Sequence, residues 1–188
     1  MTEPELIQAL QQKQQAAFEV LVETYKDKLY NTVLGFVQNF EDTEDIVQEV
    51  FIKVYQSIHQ YKGEARLATW MYRIAVTHSL DHLRKRKRRE RFAGVLSAIG
   101  IRGNEVHSSE AFNHPGVIAE NKEKAAIMFK AIQQLPESQK AAFILQKVEG
   151  LKQAEIAAVL NISEGAVESL VTRAKGNLKR LLTEYYSS

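Results

Sequence analysis

The chain has 188 residues, 45% of them hydrophobic, a net charge of +2 and no cysteine. That length suits one ordinary domain or two small ones, and the hydrophobic share is enough to build real cores. Disulfides, thiol catalysis and cysteine-ligated zinc are excluded, and no apolar run approaches the roughly 18 residues of a membrane-spanning helix.

The start of the chain, Met1 to Leu10, lacks the basic-then-apolar order of a signal peptide, so the expected compartment is the cytoplasm. Only three prolines and nine glycines interrupt long periodic stretches. The expected fold class is therefore all-α, as two small helical domains joined by a flexible linker: 1–91, a linker over 92–122, and 123–188.

In chain order, Phe18, Val22, Tyr25, Leu29, Val33 and Phe36 recur every three or four residues and predict an amphipathic helix. A second helix is predicted from about Thr43 to Ile58. Wound at about 100° per residue, it puts Ile46, Val47, Val50, Phe51, Val54, Tyr55 and Ile58 on one side. Asp45, Gln48, Glu49, Ile52, Lys53 and Gln56 take the other. An apolar centre ringed by charge is how a modest protein-binding surface is built, although a lone exposed isoleucine needs no such explanation.

The segment Gln60 to Arg66 reads as a loop, followed by a third helix from about Ala68 into a basic run. Arg73, Thr77, Arg84 and Arg88 share one stripe of it, with Tyr61 and Trp70 at its start. Cations beside aromatics suit single-stranded DNA, because phosphates need charge and unstacked bases need a flat surface. A core tryptophan explains Trp70 alone equally well. His78 and His82 are the one helically spaced histidine pair, and without further ligands nearby they point to surface or DNA-facing roles rather than a metal.

Charge divides unevenly: −5 over residues 1–83, +6 over 84–91, −2 over 92–123 and +3 over 124–188. An acidic body ending in a basic run suggests one face for a protein partner and another for nucleic acid. From Phe92 to Pro115 the periodicity fails among glycines, serines and asparagines. It resumes through Ile127, Ile132 and Leu135, with Pro136 at a first helical turn and Gly150 where a helix would stop.

The remainder splits into two short helices around Asn161-Ile162-Ser163, which reads as a helix-turn-helix with Ser163 as N-cap of the second. On that helix Val167, Leu170, Val171, Ala174, Leu178 and Leu181 share one face. The opposite face carries Gly165, Ser169, Thr172, Arg173, Gly176, Lys179 and Arg180, short residues first and cations after, as a major groove and its phosphates require. A helical hairpin with a solvated outer face fits the same pattern.

Taken together, these segments resemble the extracytoplasmic-function sigma factors of the sigma-70 family nearly end to end. Asp42-Thr43-Glu44-Asp45-Ile46-Val47-Gln48-Glu49-Val50-Phe51-Ile52-Lys53 is similar to the family's polymerase-binding helix. Tyr61-Lys62-Gly63-Glu64 and Thr69-Trp70-Met71-Tyr72-Arg73-Ile74-Ala75 resemble the loop and helix that capture the melted downstream promoter element. Leu135-Pro136-Glu137, Glu155-Ile156-Ala157 and Arg173-Ala174-Lys175 resemble the domain that reads the upstream element.

The resemblance implies a sigma factor, without catalytic residues, cofactor or metal, that directs promoter recognition, melting and transcription initiation. Its implied partners are promoter DNA and core RNA polymerase, through the largest-subunit clamp and the second-subunit flap, with an anti-sigma factor as a further candidate. Asp45, Gln48, Glu49, Ile52 and Lys53 would meet polymerase. Tyr61, Lys62, Arg66, Trp70, Arg73, Thr77, His78, Arg84 and Arg88 would meet the melted strand, and Ser163, Ser169, Thr172, Arg173, Lys175 and Lys179 the upstream duplex. Glu168 departs from the basic residue often found there, so promoter sequence cannot be copied from relatives. The rival reading is an ordinary helix-turn-helix regulator with a helical sensor or dimerisation domain, which leaves the acidic helix, aromatic loop and basic stripe unexplained as a set.

Overall fold

Acidic residues and a proline in a first turn favour helix initiation, and Glu3, Pro4 and Glu5 open helix α1 (Glu3–Gln11). The Thr2 N–H donates to the Glu5 carboxylate at 2.7 Å, and Leu6 and Leu10 are buried beneath it. This helix was not among the expected elements. A computed structural model describes residues 2–98 and 119–186, and every regular element among them is helical.

After a tight turn at Lys13, helix α2 (Gln15–Val37) carries the expected apolar stripe, with Leu29, Val33 and Phe36 buried and Phe18, Val22 and Tyr25 packed at its margin. Gln38 ends it in the left-handed conformation. Asn39 then accepts from the Asp42 N–H at 2.8 Å and so caps α3 (Phe40–Ser57). A single 3-10 turn (Ile58–Gln60) leads into the loop at 61–66, where Gly63 has φ +73°. Helix α4 (Leu67–Ala98) follows, its first N–H groups met by α1: the Glu3 carboxylate accepts from the Leu67 N–H at 3.0 Å.

Helix α4 runs through the basic segment to Ala98, past the expected linker start, and α5 (Ala119–Gln133) begins before the expected linker end. The rest of the expected linker lies outside the described residues. Pro136 sits at the N-cap of α6 (Glu137–Lys147), and Gly150, at φ +66°, lies in the loop after it. Then come α7 (Gln153–Leu160) and α8 (Glu164–Tyr186), separated by Asn161 in the left-handed conformation. The Ser163 hydroxyl accepts from the Ala166 N–H at 3.2 Å, the expected cap. The second helix is 23 residues long rather than short, because Leu178, Leu181 and Leu182 extend its packed face onto α5 and α6.

The two halves touch directly. Buried side chains of both form one continuous hydrophobic cluster, with α2 against α6 and α4 against α7. Close approach depends on Gly35: a Cβ there would lie 3.1 Å from Ile144 Cγ2. Across the same seam Gln133 Nε2 donates to the Phe36 carbonyl at 2.5 Å, and within the N-terminal half Arg86 donates to the Val37 carbonyl at 3.3 Å. These carbonyls at the C-terminal end of α2 have no partner within their own helix and favour positive donors.

Candidate polymerase and nucleic-acid interfaces

Helix α3 divides as its periodicity predicts. Ile46, Val47, Val50, Phe51 and Val54 are buried, whereas Asp45, Gln48, Glu49, Ile52 and Lys53 are exposed, Ile52 to 54%. Tyr55 departs from expectation. It stays exposed, set edge-on to Phe18 at 5.3 Å between ring centroids, with the Lys13 ammonium 5.8 Å from its ring. The apolar centre of this outer face is thus larger than one isoleucine.

On α8, Val167, Val171, Ala174 and Leu178 are buried, with Leu170 and Leu181 half-buried. Ser163, Ser169, Thr172, Arg173, Lys175 and Lys179 are all exposed, and so is Glu168 beside them. The structure therefore keeps the expected duplex-reading residues together on one open face.

The aromatic and cationic residues before and along α4 fare differently. Tyr61 and Trp70 are half-buried, their rings 5.4 Å apart, and the Tyr61 hydroxyl donates to the Ala65 carbonyl, closing the loop on itself. Burial raises the Tyr61 pKa. Lys62, Thr77 and Arg88 are exposed. Between α1 and this loop lies an open groove bordered by Ile7, Gln11, Tyr61, Ala65 and Arg66.

The other stripe residues face the chain's own C-terminal half. Arg73 donates through Nε (2.9 Å) and Nη2 (2.5 Å) to the Ala158 carbonyl in the last turn of α7. That carbonyl is left over because the Asn161 and Ile162 N–H groups both go to Ala157. Arg84 grips the Glu137 carboxylate with Nε at 3.1 Å and Nη2 at 2.6 Å while also holding Asp81 at 2.9 Å. This hydrogen bond lowers the Glu137 pKa and raises that of Arg84. Arg66 lies 4.0 Å from Glu155.

Sequence reasoning missed the pairing of α4 with α3 through histidines. His78 stands 3.3 Å from Glu49 and His82 3.2 Å from Asp42, so His78 ties α4 to the acidic face of α3. It also missed Tyr72, whose hydroxyl donates to Glu149 at 2.9 Å. Burial first, and then the neighbouring Glu149 carboxylate, push the Tyr72 pKa well up; burial also raises that of Glu149. Among the described residues no group of three or more His, Asp or Glu could hold a metal ion, and no helix is long and apolar enough to cross a membrane.

Two family patterns cover most of these elements: sigma-70 region 2 matches residues 21–89 and sigma-70 region 4 matches 126–178. The chain belongs to the extracytoplasmic-function sigma factors of the sigma-70 family. It is 30% identical to the RNA polymerase sigma-H factor of Pseudomonas aeruginosa, over 95% of this chain and 92% of that one. To the sigma-E factor of Escherichia coli K12 it is 31% identical, over 93% and 91%. Its fold is similar to that of CnrH in a complex with the cytosolic domain of CnrY (TM-score 0.68, 20% identity, 97% of each chain). The sigma factor RpoE in complex with the anti-sigma factor NepR from Bartonella quintana is similar too (TM-score 0.62, 21% identity, 88% of this chain and 96% of that one).

Proposed function

We propose that this sigma factor directs promoter recognition and melting by dividing the work among three surfaces. The outer face of α3, centred on Ile52 and Tyr55 and ringed by Asp45, Gln48, Glu49 and Lys53, docks on core polymerase at the largest-subunit clamp. The outer face of α8 reads the upstream duplex, with Ser169, Thr172 and Arg173 toward base edges and Lys175 and Lys179 toward phosphates. The loop 61–66 and the stripe of α4 hold the melted strand, with Tyr61 and Trp70 offering ring faces and Lys62, Arg66, Arg73, Thr77, His78, Arg84 and Arg88 offering donors. The C-terminal domain meets the second-subunit flap, and the whole acts in the cytoplasm without catalytic chemistry of its own.

The observation that carries the reading is the placement of two outward faces of opposite character on one chain: an acid-ringed apolar face on α3 and a short-then-cationic face on α8, each backed by its own buried stripe. A polymerase adaptor with a duplex reader requires both, whereas a simple regulator requires only the second. The similar fold of RpoE is that of a sigma factor bound to the anti-sigma factor NepR, which supports a proteinaceous inhibitor as a further partner here.

Run-off transcription by purified core polymerase on a genomic library, with and without the chain, tests the function. The double change Asp45→Arg with Ile52→Glu should abolish co-purification with core polymerase while the helical content stays unchanged, since both side chains point away from the core. Wild-type co-purification by that folded variant would place the partner surface elsewhere.

A further inference from the structure

We propose that helix α1 is a positioning element for the strand-capturing loop: Gln11 and Glu3 hold its two ends and so fix the separation at which Tyr61 and Lys62 meet an unpaired strand. The inference rests on the reading of that loop as a strand-binding surface. What is added is a role for α1, which lies before residue 21, where the region 2 pattern begins.

The hydrogen bonds at the ends of the loop carry the case. At its entry Gln11 Nε2 lies 3.5 Å from the Ile58 carbonyl and 3.4 Å from the Tyr61 carbonyl, donating across the 3-10 turn. At its exit the Glu3 carboxylate accepts from the Leu67 N–H, the first of α4, at 3.0 Å. A helix is ordinarily capped by Ser, Thr, Asp or Asn just before it. Here Glu64, Ala65 and Arg66 supply none, and the acceptor comes from 64 residues earlier in the chain. A local cap would stabilise α4 equally well, but a distant one also ties the loop to α1. The Glu3 charge reaches the loop as well, since burial first and then that carboxylate raise the Tyr61 pKa.

The geometry of α1 suits it to this part. Glu3, Ile7 and Gln11 recur every fourth residue along one edge, which sets the two bracing side chains about 12 Å apart on a rigid rod. Leu6 and Leu10 beside them are buried and anchor the rod to the core. Ile7 and Gln11 form one wall of the groove whose other wall is Tyr61, Ala65 and Arg66. The loop has little else to shape it. The Tyr61 hydroxyl closes on the Ala65 carbonyl, the tip at Lys62, Gly63 and Glu64 is exposed, and a Cβ on Gly63 would meet nothing within 4 Å. Tyr61 and Trp70 flank the braced segment with their rings 5.4 Å apart, so a shift of either end changes the ring faces offered to a base.

Two pairs of full-chain variants separate positioning from stability, because the brace needs an acceptor at position 3 and a donor at position 11. Glu3→Gln and Gln11→Lys keep those roles, whereas Glu3→Ala and Gln11→Glu remove them. Trp70 is the only tryptophan in the chain, so its emission in the free, folded protein reports its contact with Tyr61. Promoter opening is followed by permanganate reactivity of unpaired thymines, with holoenzyme on a promoter identified by run-off transcription. Glu3→Ala and Gln11→Glu should shift the Trp70 emission and, with the loop in its strand-ready shape one-tenth of the time, lower opening about tenfold. Glu3→Gln and Gln11→Lys should match wild type in both. All four should keep wild-type helical content, co-purification with core polymerase and upstream-duplex binding. Wild-type emission and opening in folded Gln11→Glu overturns the proposal. So does a loss in Glu3→Gln or Gln11→Lys as large as in its partner variant, since stability alone would then account for it. Should Glu3→Ala not fold, the pair at position 11, which leaves the start of α1 and its buried leucines intact, decides alone. The strand-binding reading fails separately: full opening by Tyr61→Ala with Lys62→Ala removes the loop from melting and this role of α1 with it. Lost opening there, beside wild-type opening in the α1 variants, overturns the bracing alone.

Discussion

Lys140 offers the sharpest test of the packing physics, because it is an ammonium group with 2% of its surface exposed. Its Nζ donates to the Gln133 side-chain oxygen at 2.9 Å and to the Gln133 carbonyl at 3.2 Å. Burial, and then the charges of Lys87 and Arg86 across the seam, bring its pKa down from 10.5 to about 8. A depression of that size corresponds to about 3 kcal/mol against the folded state while the group is charged in both states. Replacing it by methionine removes that penalty but leaves two Gln133 oxygens without a donor, each costing about 1 to 3 kcal/mol. The two effects nearly cancel at pH 7, so the level of stability there decides little.

The slope decides more. Above pH 8 the folded chain releases this proton while the unfolded chain keeps it until about 10.5, so the unfolded state binds more protons and stability rises with pH. Urea unfolding at pH 7 and pH 9 should show wild type gaining about 1.4 kcal/mol relative to Lys140→Met over that interval. Parallel pH dependence in the two proteins would refute the buried, charged Lys140 and with it the repulsion across the seam.

Ser163→Ala removes the cap of α8 and should cost about 1 kcal/mol in urea unfolding, without changing co-purification with core polymerase. Arg173→Ala should weaken upstream-duplex binding by holoenzyme by about 1 to 3 kcal/mol if the guanidinium contacts a base and by less if it meets only phosphate, measured by fluorescence anisotropy at fixed salt.

Periodicity made the outer faces legible. The alternation of Ile46, Val47, Val50, Phe51 and Val54 with Asp45, Gln48, Glu49 and Ile52 marks the core side of α3, and Val167, Val171, Ala174 and Leu178 mark that of α8 in the same way. Tyr55 escaped because a ring at the edge of a stripe can satisfy itself against a neighbouring ring and a lysine without entering the core. Helix α1 was missed although Pro4 between two glutamates, followed by Leu6 and Leu10, signalled a helix start.

The seam between the halves was not legible, since it is built largely from backbone carbonyls of Ala158, Phe36 and Phe129, which no sequence pattern marks. Its two sequence traces were Gly35 inside an apolar helical run and Lys140 beside Ala141 and Ala142 on a packed face. Each reads as a local irregularity until the opposing helix is in view.

Those two irregularities act in opposite directions. Gly35 and Ile144 let apolar surfaces meet, whereas Lys140, Lys87 and Arg86 bring like charges toward one another at the same seam. The ion pairs that span it lie at the solvent margin, where water and salt screen them and they contribute little. Closure therefore rests on apolar contact and the carbonyl-directed donors, opposed by a buried ammonium group. A seam balanced in this way can be opened by a partner that gains only a modest difference in binding between the two states.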